Sequence, residues 1–147
     1  MVAGQRAAQG ETVWAIPYDY EGACAEAPEI CLGVPYFNWG PAYVEYAKKL
    51  QDGTFEQEWI WAEPDWADIN NIDTTAVGYI KGDALTAEES TQLDEFIAGL
   101  ADGSIVLFVG PLNYQDGSAY LADGEVATDD QVWYTTQLLE GMTGPSE

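Results

Sequence analysis

The stretch Val34–Tyr43, VPYFNWGPAY, concentrates side chains that could hold a flat ligand. Phe37 and Trp39 offer ring faces, and Asn38 between them offers a hydrogen-bond donor and acceptor. Aromatic rings stack on flat molecules and also fill hydrophobic cores, so ring packing at a corner of the fold is the alternative interpretation. The residue types predict a site for a flat, uncharged molecule with hydrogen-bonding edges.

A carboxylate follows the preceding apolar run of the chain. The segment TVWAIPYD, Thr12–Asp19, is predicted to be a short strand that ends at Asp19, with Tyr18 beside it. Ligands of open α/β sheets bind outside the carboxyl ends of the strands. Asp19 is therefore predicted to accept N–H or O–H groups of the ligand, and Tyr18 is a further candidate contact.

The residues argue against catalysis. The chain has no histidine, which excludes Ser/His/Asp and Cys/His triads, and it has no glycine-rich phosphate loop. Asp19 and Glu21 could form an acid/base pair, but two residues on one strand end lie too close to flank a sugar from opposite sides. We expect a binding protein and not an enzyme, and keep a hydrolase that uses Asp19 or Glu21 as a lesser alternative.

The charge is strongly negative. Four basic residues face 26 acidic ones, which gives a formal net charge of −22. Such a surface repels phosphate backbones and anionic lipid headgroups, so no nucleic-acid partner is expected. Solubility in a salty or extracellular medium is one interpretation and calcium binding is another. The best calcium candidate, Asp65–Thr74, lacks the glycine and terminal glutamate of an EF-hand loop, and we predict no metal and no cofactor.

Cys24 and Cys31 frame a short loop, and a disulfide between them would suit an exported protein, with two free thiols as the alternative. Without histidine, two thiols do not make a zinc site. No stretch approaches the roughly 18 apolar residues that span a bilayer. Residues 1–10 lack a signal-peptide core, so the sequence as it stands predicts a chain without a signal.

Strand and helix patterns alternate along the chain. The predicted strands are Thr12–Asp19, CLGVPY, TFEQEWIWAEP, Thr74–Gly82, the buried run SIVLFVG and a hairpin strand SAYLA; the predicted helices are residues 2–9, one beginning near Pro41 and ending before Gly53, Thr86–Asp102, and Asp129–Glu140. Capping boxes are predicted at Thr86/Glu89 and Thr128/Gln131. We therefore predict an α/β fold with a mostly parallel sheet flanked by helices, followed by a C-terminal β-hairpin and helix.

Four segments, in order, resemble a known family. VWAIPYDYEG, VPYFNWGPAYVEYAKKLQDGTFE, LTAEESTQLDEFIAGLADGSIVLFVGPLNYQDG and DDQVWYTTQLLEGMTG resemble the C-terminal part of the basic membrane protein (BMP) family of PnrA-like substrate-binding proteins. These proteins serve ABC transporters, and their known ligands are mostly purine nucleosides and nucleobases. The resemblance runs from about residue 2 to the end of the chain.

The resemblance implies a lobe of a periplasmic-binding-protein fold that closes over its ligand by a hinge. Residues 1–147 would be the C-terminal lobe, with the N-terminal lobe and the lipoprotein signal absent. In the full-length family the protein is extracytoplasmic and associated with the plasma membrane, and its partners are the ABC permease subunits.

The resemblance also implies roles for individual residues. The family aspartate that contacts the sugar hydroxyls corresponds to Asp19, whereas the lysine often found in the next contact is absent near Tyr36–Asn38. The NWGP form is closer to the members that take bare purines, on whose ring Trp39 could stack. Carbohydrate binding by the same aromatic side chains, and a truncated lobe with no small ligand, remain the alternatives.

Overall fold

The computed structural model describes residues 2–145, which form a small chain of mixed helix and strand in two compact units. One unit extends to Glu95 and the other begins at Phe96. The helices are α1 Val2–Ala8, α2 Gly40–Gln51, α3 Ala87–Asp102 and α4 Asp129–Trp133; the strands are β1 Gly33–Phe37, β2 Val77–Lys81, β3 Leu112–Asn113 and β4 Ala119–Leu121; short 3-10 turns cover Ala23–Glu26 and Pro28–Ile30.

Strand β1 is the centre of the first unit. It pairs with β2 in antiparallel register, with Val34 opposite Ile80. On its other side, the predicted first strand runs parallel to it through two isolated bridges, Ala15 with Cys31 and Asp19 with Tyr36. Both strand predictions for β1 and β2 are confirmed.

The predicted sheet is only partly formed. Both sheets among the described residues are two-stranded and antiparallel, and parallel pairing is limited to the two bridges beside β1. Pro17 lies between these bridges and Pro35 lies in β1, and neither has an N–H to donate to a ladder. The mixed α and β content is as expected; a continuous parallel sheet is not formed here.

The core of the first unit lies against β1. Val34 is fully buried, and Ile30, Cys31 and Tyr36 are nearly so. The Tyr36 ring covers Gly78 on β2, where an added Cβ would lie 2.3 Å from the ring. A side chain at position 78 would therefore force the Tyr36 ring to shift from its place over β2.

Helix boundaries follow the predicted signals. Pro41 is in the first turn of α2, and Gly53, with φ +68°, follows the end of that helix. At the start of α3, the Thr86 N–H donates to Glu89 Oε2 at 2.8 Å and the Glu89 N–H donates to Thr86 Oγ1 at 3.2 Å. The predicted capping box is present.

Two predicted strands are wrong. TFEQEWIWAEP (residues 54–64) and SIVLFVG (residues 104–110) are irregular apart from one bridge, Val109 with Val126. Apolar content led to both predictions, but an apolar run becomes a strand only when a partner offers its backbone groups. Among the described residues neither segment has a continuous partner strand, and Val106–Val109 are exposed.

The last helix is shorter than predicted. It ends at Trp133, not at Glu140, although its capping box at Thr128 and Gln131 forms as expected. The Thr135 hydroxyl donates back to the Gln131 carbonyl, a contact that bends and weakens a helix end. The chain then pairs with the hairpin instead, since the Glu140 N–H donates to the Asn113 carbonyl.

The predicted C-terminal hairpin is confirmed. Strands β3 and β4 pair in antiparallel register, and Leu121 on β4 is buried. Gly117, with φ +84°, ends the turn that begins at Tyr114, since its N–H donates to the Tyr114 carbonyl at 3.0 Å. The hairpin and α4 both belong to the second unit.

The Thr86→Ala substitution is expected to lower the free energy of unfolding by about 1 kcal/mol, because it removes the side-chain cap of α3. Urea denaturation at neutral pH measures the change. Thr12→Ala, at an exposed position without a cap, should change stability by much less, and equal effects of the two substitutions would contradict the capping role.

The effect of Thr86→Ala should depend on pH. Hydrogen bonds from the Thr86 N–H, and then from its hydroxyl, hold the pKa of the Glu89 carboxyl below its ordinary value. A lowered folded-state pKa gives stability that is present above the unfolded pKa of about 4.3 and is lost as pH falls through the folded value. The difference between wild type and Thr86→Ala should therefore shrink below about pH 4.

Candidate functional site

The stretch Val34–Tyr43 is a strand-to-helix turn, as predicted. Strand β1 ends at Phe37, Asn38 and Trp39 form the turn, and α2 begins at Gly40. Pro41 fixes the backbone of the first helical turn, where its missing N–H costs nothing. Phe37 and Trp39 thus lie at the junction of a strand and a helix, which limits the conformational freedom of their backbone.

Three aromatic rings form a row at this turn. The Phe37 and Trp39 ring centroids are 5.7 Å apart at a tilt of 45°, and Trp39 and Tyr43 are 6.2 Å apart with planes within 20°. All three are exposed, and Trp39 keeps 58% of its surface. We call Phe37, Trp39 and Tyr43 the ring corner. Such rings can stack on a flat molecule in solution.

Tyr43 was not among the predicted site residues. It lies four positions after Trp39 and on the same face of α2, because residues four apart in a helix are neighbours. That spacing could have identified it from the sequence.

Asp19 meets the ring corner through the backbone. Its N–H donates to the Pro35 carbonyl at 2.9 Å, and the Phe37 N–H donates to its carbonyl at 3.3 Å. Asp19 has φ +82°, an uncommon conformation for a residue with a side chain. Its carboxylate is exposed and makes no hydrogen bond or ion pair with any residue between 2 and 145, so it can accept hydrogen bonds from outside.

Asn38 holds a neighbouring loop. Its Nδ2 donates to the Ile72 carbonyl at 2.7 Å and to the Thr75 carbonyl at 2.9 Å. Its Oδ1 accepts a long hydrogen bond of 3.4 Å from the Gly40 N–H. Both amide hydrogens are used within the chain, which leaves only spare acceptor capacity on Oδ1 for a ligand.

Tyr18 precedes Asp19 and is exposed, so its ring and hydroxyl are open to solvent. Tyr36, the residue before Phe37 in β1, is buried, and its hydroxyl donates to Asn70 Oδ1 at 3.3 Å. Burial, with the nearby negative charges of Glu21 and Asp68, raises the pKa of Tyr36. The carboxylates of Glu21 and Asp68 thus lie close enough to Tyr36 to disfavour a further negative charge on its hydroxyl.

The basic residues give an anion little to bind. Arg6 pairs with Glu11 at 3.3 Å, Lys49 with Glu45 at 2.8 Å, and Lys81 with Asp94 at 2.6 Å. These three of the four basic side chains already have carboxylate partners. The site suits a neutral ligand better than a phosphorylated one.

In the loop considered as a calcium site, the Asp65 carboxylate accepts hydrogen bonds from the loop itself. Asp65 Oδ1 accepts from the Ala67 N–H at 3.0 Å, and Oδ2 accepts from the Thr74 hydroxyl. These hydrogen bonds, that of Thr74 first, hold the pKa of Asp65 below its ordinary value. In the described part of the chain, no three potential metal-ligating side chains cluster together.

Cys24 and Cys31 lie together at the start of β1, with their sulfur atoms 2.09 Å apart in a disulfide. Cys31 is buried, and its backbone pairs with that of Ala15. The bond ties the 3-10 turns to the strand that carries the ring corner at its other end. Within residues 2–145, none of the helices is both long and apolar enough to cross a bilayer.

Comparison with known proteins gives one informative relative. A purine-binding protein of Brucella abortus (strain 2308) is 32% identical to this chain over 117 residues, which is 79% of this chain and 29% of the relative. The chain thus spans less than a third of that protein's length. No protein-family model matches the sequence.

The Asn38→Asp substitution is expected to lower the free energy of unfolding by about 1–3 kcal/mol, because it replaces two donated hydrogens by a carboxylate that faces two carbonyl oxygens. Thermal and urea denaturation measure the loss. Asn71→Asp is the matched control: Asn71 Oδ1 only accepts, from the Asp73 N–H at 3.1 Å, and a carboxylate keeps that hydrogen bond. Equal losses in the two variants would contradict the anchoring role of Asn38.

Proposed function

We propose that this chain forms one wall of a binding site for an uncharged purine base or nucleoside, in the substrate-binding component of an ABC transporter of the BMP family. The observation that carries the proposal is the ring corner: three exposed aromatic rings in a row, next to Asp19, whose backbone is hydrogen-bonded to that of Phe37 and whose side chain is exposed.

The rings would supply the flat surface. Trp39 lies between Phe37 and Tyr43, so a purine stacked on it would also touch a second ring. Stacking of a base on an aromatic side chain is worth about 1–3 kcal/mol. One wall therefore gives weak binding, and a submicromolar site needs a second set of contacts.

The polar residues would determine which hydrogen-bonding groups the edge of the ligand must carry. Asp19 is an acceptor only, so it suits the amino and ring N–H groups of a purine or the hydroxyls of a ribose. The Oδ1 atom of Asn38 is a second acceptor. Tyr18 could close over the ligand from the other side of Asp19. The net negative charge of the chain makes a nucleotide phosphate an unfavourable addition.

The transport role rests on the ordered likeness of four segments to the BMP family and on the relative described as purine-binding. In this proposal the protein would act outside the cytoplasm, anchored at the plasma membrane as a lipoprotein, with the permease subunits as partners. A disulfide between Cys24 and Cys31 suits that oxidising location.

The missing half of the cleft would be an N-terminal lobe. The exposed apolar run Val106–Val109 supports this part of the proposal, because four consecutive exposed apolar side chains are typical of a surface that another part of a protein covers. The alternative of a truncated lobe without a small ligand predicts no response to any purine.

Trp39→Ala is expected to weaken binding of adenine about 5- to 150-fold, which corresponds to the loss of one stacking contact of about 1–3 kcal/mol. Isothermal titration of the chain with millimolar adenine and adenosine measures the affinity. Asp19→Asn should also weaken binding, since it replaces an acceptor oxygen by a donor.

Trp14→Ala is the matched control, because Trp14 is 57% exposed but lies beside Ala15, at the other end of the pairing with β1. It should leave the affinity unchanged. No binding of adenine or adenosine, or an equal loss of affinity in Trp14→Ala and Trp39→Ala, would contradict the proposed site. Binding on a glycan array without a purine response would favour the carbohydrate alternative.

A further inference from the structure

The second unit contains a cleft that the proposed purine site does not use. Its volume is about 380 Å³, within the usual range for small-ligand pockets of about 300–1,000 Å³. The lining residues come from the hairpin and from α4 with the residue after it: Tyr114, Ala119, Tyr120, Asp130, Gln131 and Tyr134. Half of them are tyrosines, and one carries a negative charge.

The tyrosines form the apolar part of the cleft. The Tyr114 and Tyr120 ring centroids are 5.0 Å apart with a tilt of 45°, and both side chains are half-buried. Tyr134 is exposed at the other side. Ring faces carry negative electrostatic potential and attract a cation within about 6 Å of the ring centroid.

The hydroxyl of Tyr120 fixes the orientation of its ring. Its oxygen lies 3.4 Å from Thr135 Oγ1. The single Thr135 hydroxyl proton is directed to the Gln131 and Val132 carbonyls, at 2.8 and 3.0 Å. Tyr120 is therefore the donor to Thr135, and its ring is held against the cleft before any ligand arrives.

Charge in this unit is of one sign. From Phe96 to the end of the chain the sequence has eight acidic residues and no lysine or arginine. The acidic residues are Asp102, Asp116, Asp123, Glu125, Asp129, Asp130, Glu140 and Glu147. An anionic ligand would find no counter-charge from this unit, whereas Asp130 at the edge of the tyrosine cleft can pair with a cation.

We propose that the cleft of Tyr114, Tyr120, Tyr134 and Asp130 is a second binding site, for a small organic cation of the alkylammonium class. The apolar substituents of the ammonium group would contact the tyrosine rings, and its charge would be balanced by the ring faces and the Asp130 carboxylate. This inference is independent of the purine site, since it uses other residues in the other unit.

Choline is the probe, and 3,3-dimethyl-1-butanol is its uncharged isostere of nearly the same shape. Calorimetric titration of the intact chain should show choline binding at least tenfold more tightly than the isostere, because only choline carries the charge that rings and carboxylate attract. Equal affinities would overturn the proposal, as would the absence of choline binding.

Two variants locate the site. Tyr120→Leu removes a ring and Asp130→Asn removes the charge with little change of shape, and each should weaken choline binding at least fivefold. Asp123→Asn is the matched control: it removes one charge from a turn of the same unit that does not line the cleft, and it should change the affinity less than twofold. Circular dichroism checks that the variants are folded.

Two other outcomes would also overturn the proposal. Equal weakening by Asp123→Asn and Asp130→Asn would mean that choline follows the general negative potential, which overturns a specific site. Adenine binding that is lost in Tyr120→Leu but retained in Asp130→Asn, without choline binding, would assign the cleft to a neutral aromatic ligand and overturn the cation assignment.

Discussion

The first unit depends on the backbone pairing of β1 on both of its edges. On one edge β2 provides a regular antiparallel ladder, and on the other edge the segment around Ala15–Asp19 provides two parallel bridges. Pairing on both edges leaves β1 few unsatisfied backbone groups, which is why Val34 and Tyr36 can be buried. The backbone of Asp19 lies next to Phe37 because of this pairing, since Phe37 ends β1 and Asp19 lies in the segment bridged to it.

The sequence predicted the local elements of this unit well where a specific residue fixes the backbone. Pro41, Gly53 and the Thr86/Glu89 capping box identify helix ends through hydrogen bonds and dihedral restrictions that act within a few residues. The same holds for the turn at Asp116–Gly117. These features need no knowledge of the rest of the chain, and the structure contains all of them.

What the sequence did not predict depends on distant partners. Residues 104–110 are apolar enough for a buried strand, but whether they form one is decided by a neighbouring strand, and none of the described residues provides a full one. The early end of α4 has a similar origin, because the segment around Leu139 pairs with Tyr114. The site residues remain predictions: the Phe37 and Trp39 rings are adjacent and the backbone of Asp19 pairs with that of Phe37, whereas the donors of Asn38 face inward to a loop, which no spacing rule reveals.

Asn38 and its two aromatic neighbours have different structural roles. The Asn38 side chain donates hydrogen bonds to the loop at Ile72 and Thr75. Its neighbours Phe37 and Trp39 are exposed, and their side chains make no hydrogen bond within residues 2–145. Exchanging either ring for another side chain would therefore cost the scaffold little. Ligand preference at the proposed site can therefore diverge through solvent-facing positions while the inward-facing amide of Asn38 keeps its loop in place, so selectivity and foldability are free to evolve separately.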